Sequence, residues 1–310
     1  MKKIAFIFPG QGSQSVGMGK DFFENSAIAK EMIAKASQRL GINFEELLFE
    51  ENENLGKTEF TQPAILLVSS IATAIFKEKC NIQPEFVLGH SLGEFSALVA
   101  SGAIDYLDAI ELVHKRGLFM TEACANGGAG MMALVGLDDA TVEKVCEEQR
   151  ATGKKVWAAN YNMDGQIVLA GIKADLESLV DVFKAAGAKR AIVLDMSVAS
   201  HCELLSSAVE QLKPYLENFV TNNFTTSIVS NVTSQKYNTK EEAISLLCQQ
   251  LTFPVKYKQS IENFANEVDA LIELGNGAVL KGLNKKTTTT PTLNVSDMKT
   301  LEATLEALND

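Results

Sequence analysis

The chain has 310 residues, 46% of them apolar and 22% charged, enough apolar material to bury a large core and too much for a disordered polymer. Its net charge of -11 argues against nucleic acid as a partner. Five scattered cysteines, odd in number and without a CxxC pair, argue against a disulfide framework and for a reducing compartment.

Met1-Lys2-Lys3 and the apolar run after it imitate a secretory signal. The run stops at Pro9-Gly10 after five residues, short of the roughly seven to fifteen a signal needs, so residues 4–8 read as a buried strand. Pro9-Gly10-Gln11-Gly12 is then a turn. It lacks G-x-G-x-x-G, and Gly19-Lys20 is followed by Asp21, so no nucleotide loop is expected; a backbone N–H held at the mouth of the sheet fits better. Helical patterning runs to Leu48 and returns over 64–77. Residues 64–76 are the longest apolar stretch but carry Ser69, Ser70 and Thr73 and fall short of the about twenty residues that span a bilayer. They read as a buried helix, with no membrane partner and a cytoplasmic location expected.

Residues 86–88 form a short strand, and a helix begins at Glu94. The helix over 107–124 follows. Between 130 and 195 the rhythm changes: strand 131–135, helix 138–150, strands 156–160 and 166–170 around a Met163-Asp164-Gly165 turn, helix 175–186, strand 191–194. That β-α-β-β-α-β order predicts a ferredoxin-like domain inserted over 127–196, with Gly127 to Gly130 as its leading hinge, in a catalytic domain made of 1–126 and 197–310. Strands return at 227–231 and 270–274. Gly275-Asn276-Gly277 reads as a turn and 287–290 as a loop, while Ser296-Asp297 caps a last helix bearing Leu301, Leu305 and Leu308. Strands alternating with helices predict an α/β fold with a mainly parallel sheet.

Gly89-His90-Ser91-Leu92-Gly93 fits G-x-S-x-G between a strand and a helix. In that setting the serine is exposed on a tight turn, flanked by residues that need no side chain, and the helix N-terminus offers N–H groups to an oxyanion. Ser91 is the candidate nucleophile and needs a base. Of the three histidines, His90 is adjacent in a tight turn and His114 lies mid-helix as a surface or packing residue. His201, in a loop just past the small domain, is the candidate base. Cys202 has no second ligand at metal spacing, and no metal is expected. Arg116 lies on the apolar stripe of Leu112, Val113, Phe119 and Met120, with no acid one turn away on that stripe. Its partner is either an external carboxylate or an acid from another segment, unless the side chain snorkels.

Seven motifs occur together in this order: FPGQGSQ (8–14), TQPA (61–64), GHSLGE (89–94), HKRG (114–117), NYN (160–162), SH (200–201) and QLTFPV (250–255). Over nearly its whole length the chain resembles the malonyl-CoA:acyl carrier protein transacylases of fatty acid synthesis. The resemblance implies an α/β-hydrolase-like core with a ferredoxin-like insert. It implies Ser91 as the acylated nucleophile, His201 as base, and the Gln250 backbone carbonyl as the acceptor that orients His201. It implies an oxyanion hole from the backbone N–H groups of Gln11 and Leu92, and Arg116 as the clamp on the malonyl carboxylate. Malonyl-CoA and acyl carrier protein would be substrate and partner, with no permanently bound cofactor. Related polyketide acyltransferases that take malonyl often carry phenylalanine before the histidine. Here Ser200 stands there, as it also does in bacterial transacylases of the family.

The rival reading is a serine hydrolase, whose order Ser, acid, His is met by Ser91, Asp195 and His201. A carrier protein of this pathway is acidic, so a chain of net charge -11 needs a local basic patch to attract it. Lys115, Lys189, Arg190, Lys281, Lys285 and Lys286 are the candidates.

Overall fold

The computed structural model describes residues 2–125, 128–196 and 198–309, and these carry ten strands. They are Ile4–Phe8 (β1), Phe86–Gly89 (β2), Ala129–Val135 (β3), Val156–Met163 (β4), Gln166–Ile172 (β5), Arg190–Val193 (β6), Ser227–Val229 (β7), Lys236–Tyr237 (β8), Ala270–Leu274 (β9) and Thr292–Val295 (β10). The larger sheet runs β10-β9-β1-β2-β7-β8. Its pairs are parallel except for β8, which lies antiparallel to β7.

Both faces of this sheet are covered, which is why β1 is an unbroken apolar run. Ile4, Phe6 and Phe8 pack into the main core, while Ala5 and Ile7 face a second cluster with Phe86, Leu88, Tyr257 and Ile261. The main core is built around the Thr58–Lys79 helix, longer than the sequence pattern predicts. By length and composition this helix could cross a membrane, yet 83% of its most apolar window is buried inside the protein. Pro63 sits within it and removes the N–H that the Glu59 carbonyl would otherwise accept. His114 fills the gap, its Nδ1–H donating to that carbonyl at 2.7 Å. His114 is thus a packing residue, and it ties the Tyr106–Cys124 helix to the Thr58–Lys79 helix.

The second sheet, β4-β5-β3-β6, is antiparallel. Helices Asp139–Ala151 and Lys173–Ala185 close a separate core containing Leu134, Val142, Leu169, Leu176 and Phe183. Asp138 caps the first of them, its side chain accepting from Thr141 N–H at 2.8 Å. Among the joints between this unit and the rest are two made by residues 255–258. Val255 pairs with β4 through Tyr161 N–H (2.9 Å) and Ala159 C=O (2.8 Å). Lys258 Nζ lies between Asp139 (2.6 Å) and Asp164 (3.2 Å).

The expected hinge and domain limits fall partly on Asn126, Gly127 and Ser197, which lie outside the described residues. Strand β10 went unread because four residues after a proline give too short a pattern. The last helix is Met298–Asn309, and Asp297 accepts from Thr300 N–H at 2.7 Å.

Candidate active site

A cleft of roughly 370 Å³ opens at the carboxyl ends of β1 and β2, where open parallel sheets present their ligand sites. Its lining includes Gln11, Ser91, Leu92, Arg116, Asn162 and His201. Ser91 sits on the turn between β2 and the Gly93–Ser101 helix, with φ of +53°, a left-handed conformation rare for serine. The turn is tight because its glycines touch backbone. A Cβ on Gly89 would lie 1.9 Å from the Gly93 carbonyl carbon, and one on Gly93 would lie 2.1 Å from Phe8 O. Asn231 braces the turn, accepting from Ser91 N–H (2.7 Å) and donating to Gly89 O (2.7 Å).

His201, itself at φ +60°, is 2% exposed. The Gln250 carbonyl can only accept, so Nδ1 carries the proton and donates to it at 2.6 Å. Nε2 is left with its lone pair toward Ser91 Oγ at 2.8 Å. Burial, and then the Arg116 charge, push the imidazole down to about 3, so it is neutral at pH 7 and ready to take the serine proton. Asp195 lines the cleft, but the nitrogen that a hydrolase acid would hold is occupied by the Gln250 carbonyl. The Ser91-Asp195-His201 arrangement therefore does not form.

Among the described residues, neither Gln11 N–H nor Leu92 N–H donates to a protein acceptor. Leu92 immediately precedes a helix, and Gln11 lies in a loop fixed by Ser13 on Gly10 O (2.8 Å) and by Asn276 on Ser13 O (2.6 Å). Asn276, read from sequence only as part of a turn, is thus a brace. Two unsatisfied N–H groups flanking a serine are suited to an oxyanion.

Arg116 is 1% exposed. Gly117 lets its helix close on the Thr58–Lys79 helix, since a Cβ there would fall 2.5 Å from Glu59 Cα. The guanidinium donates to Gln62 Oε1 (2.9 Å), Gln250 Oε1 (3.0 Å) and, at 3.4 Å, Ser91 Oγ, and it lies over the Phe95 ring. Its Nε has no partner among the described residues. A buried cation beside the serine, held by neutral amides with donor capacity to spare, can grip an anionic group. Burial pushes Arg116 down to about 10, still protonated at pH 7.

Below the cleft lies a carboxylate to which the sequence reading gave no role. Glu94 is fully buried and accepts from Gln250 Nε2 (2.6 Å), Tyr237 OH (3.1 Å) and Asn231 N–H (3.2 Å). Burial pushes it up to about 7. Glu94 and Gln62 stand inside quoted motifs, but only the three-dimensional contacts give them partners; Asn231 and Tyr237 carry no sequence signal at all. His90 faces away from Ser91, its Nε2–H donating to Asn162 Oδ1 at 2.8 Å. Among the described residues, no three His, Cys, Asp or Glu side chains converge as a metal site. Of the basic candidates, Lys189, Arg190, Lys285 and Lys286 are exposed, Lys115 is half-buried, and Lys281 donates to Asn294 (2.9 Å).

Residues 5–304 match the acyl transferase domain family. The chain is 40% identical over 313 residues to the malonyl CoA-acyl carrier protein transacylase of Bacillus subtilis, covering 100% of this chain and 98% of that protein. The structure resembles the malonyl-CoA:acyl carrier protein transacylase of Helicobacter pylori, with TM-score 0.97, 44% identity and coverage of 100% and 99%. It also resembles a malonyl-transacylase solved in complex with its type II PKS acyl-carrier protein, with TM-score 0.94, 38% identity and coverage of 98% and 99%.

Proposed function

The chain belongs to the acyl transferase domain family and, within it, to the malonyl-CoA:acyl carrier protein transacylases of fatty acid biosynthesis, and from that premise we propose how its residues perform the transfer. Ser91 Oγ gives its proton to His201 Nε2 and attacks the thioester carbon of malonyl-CoA. The negative charge gathers on the carbonyl oxygen between Gln11 N–H and Leu92 N–H, where each donor is typically worth about 10²–10³ in rate. The C–S bond breaks, and coenzyme A leaves as a thiol with the proton from His201. The phosphopantetheine thiol of acyl carrier protein then gives its proton to His201 and attacks the malonyl-serine ester, and the proton returns to Ser91 Oγ. Throughout, Gln250 C=O keeps the imidazole in one tautomer, and Arg116 binds the far carboxylate of the malonyl group.

The observation that carries this reading is the buried guanidinium 3.4 Å from the serine oxygen, whose hydrogen-bond partners among the described residues are all uncharged and whose Nε has none there. The topology supports an α/β-hydrolase-like core with a ferredoxin-like insert over 127–196, since the second sheet has its own core and its sequential strands lie in the spatial order second, third, first, fourth. We also place the protein in the cytoplasm, with no permanently bound cofactor. The exposed Lys189, Arg190, Lys285 and Lys286 supply positive charge for the carrier protein on a chain of net charge -11.

The test is intact-mass spectrometry after incubation with malonyl-CoA. Wild-type protein should gain one malonyl group and pass it to carrier protein, and Ser91→Ala should gain none. Arg116→Ala should lose about 10²–10³-fold in malonyl transfer while acetyl transfer rises relative to it, because a buried pair broken on one side is worth several kcal/mol. Free malonate as the main product would instead favour a hydrolase.

A further inference from the structure

A buried cation must be balanced, and the balance here changes during the proposed reaction. Among the described residues, the side chains that hydrogen-bond to or stack on the Arg116 guanidinium are Gln62, Gln250, Ser91 and Phe95, none of them charged. The carboxylate that bears on it is Glu94, one side chain further in. The Gln250 amide bridges the two, donating through Nε2 to Glu94 and accepting through Oε1 from Arg116. The opposite amide orientation would set donor against donor and acceptor against acceptor, because a guanidinium only donates and an ionised carboxylate only accepts. Glu94 is 0% exposed and absent from the cleft lining, so it touches no substrate.

We infer that Glu94 is a counter-ion displaced in charge, though not in place, by the substrate: it balances Arg116 while the cleft is empty and takes up a proton when an acyl carboxylate docks on the guanidinium. Two buried carboxylates cannot both stay ionised at the cost of one guanidinium; the one without direct ion-pair contact protonates. Glu94 is placed for that role: burial already pushes it up to about 7, so little added repulsion is needed. The groups facing it are Arg116 from the Tyr106–Cys124 helix, Tyr237 from β8, and the neutral Gln250 and Asn231; His201, held on the Gln250 carbonyl, is neutral. Glu94 is thereby a positioning residue that sets preference for an acid-bearing acyl group and makes that preference depend on pH.

The inference rests on the transferase reading, and the experiment separates the two. Acyl exchange from malonyl-CoA to Ser91 consumes no net proton near pH 7.5, so uptake from a weakly buffered indicator solution, normalised to adduct by mass, reports a protein group. Wild-type enzyme should take up about half a proton or more per malonyl group, and Glu94→Gln under about 0.1. The wild-type ratio of malonyl to acetyl transfer should fall about 10-fold between roughly pH 6.5 and 8.5, as a resting carboxylate costs more to neutralise, and stay flat in Glu94→Gln. Should Glu94→Gln fail to fold, Tyr237→Phe decides. Losing a donor to the ionised carboxylate raises its proton affinity, so the fall in the ratio should move to higher pH. An adduct without proton uptake, uptake undiminished in Glu94→Gln, or an unmoved midpoint in Tyr237→Phe overturns the inference. Absence of any adduct in the wild type overturns the transferase reading instead.

Discussion

The two sheets treat polar groups in opposite ways. Around the six-stranded sheet, Glu94, Arg116, Asn231, Tyr237 and Gln250 are enclosed together and bonded to one another. In the four-stranded unit, the described residues 129–193 bury two such side chains, Asn160, which lines the cleft, and Tyr161, whose hydroxyl donates to Glu143, and neither belongs to a network of buried charges. A buried polar network is worth having only if its members are satisfied, and an apolar core carries no such demand. The larger sheet thus holds the strained, charged machinery, and the smaller one is a well-packed wall for it.

The first way to break this contrast is at the Ser91 turn. Gly93→Ala would put a methyl group 2.1 Å from Phe8 O, a backbone atom that cannot move without shifting β1. We expect destabilisation of about 4 kcal/mol or more, or no soluble protein, by thermal melting. Gly153→Ala, in a turn of the smaller unit, meets nothing within 4 Å and bears only the strain of φ +95°. About 1–2 kcal/mol is expected there. Equal losses would mean that the turn is no more tightly built than an ordinary loop.

An intermediate effect sharpens the comparison chemically. Asn231→Ala removes the acceptor of Ser91 N–H and the donor to Gly89 O, so the left-handed serine loses its brace. Malonyl-adduct formation should slow about 10–100-fold by rapid-quench mass spectrometry, since a small misplacement of a nucleophile is expensive. Tyr161→Phe deletes a hydrogen bond of 2.6 Å to Glu143 in the smaller unit and should leave adduct formation within about 2-fold. A comparable loss in both variants would erase the functional distinction between the sheets.

What could be read from the chain follows the same division. The four-stranded unit was legible from local signals alone: the Asp138 cap, the turn at Met163-Asp164-Gly165, and strands whose patterning matched β3 to β6. The candidate nucleophile, Ser91, was legible because strand, glycine and helix surround it within eight residues, from Phe86 to Gly93. Arg116 was legible as a misplaced charge on an apolar stripe, but its cradle was not. Gln62 and Gln250 approach it from 54 and 134 positions away, and a glutamine has no periodicity that marks it as a cradle. Glu94 was hidden for a further reason. On a helix, an acidic residue in the first turn already has a sufficient local explanation in the helix dipole.

The smallest expected effect lies where the two sheets meet. Lys258 is 9% exposed and spans the joint, holding Asp139 and Asp164 of the smaller unit. It is backed by the Val255 bridge to β4, five residues after Gln250, so the joint and the histidine's acceptor share one segment. Lys258→Met keeps the apolar stem and removes the charge, leaving Asp139 and Asp164 to solvent, where the latter already lies. Stability should drop by only about 1 kcal/mol, because a partly exposed ion pair is worth little. If the smaller unit is a wall whose position forms the cleft, KM for malonyl-CoA should rise about 2–5-fold with kcat nearly unchanged, since Asn160 and Asn162 on β4 line that cleft. If kcat fell instead with KM constant, the joint would be acting on His201 through the Gln250 segment, and the smaller unit would belong to the machinery rather than enclose it.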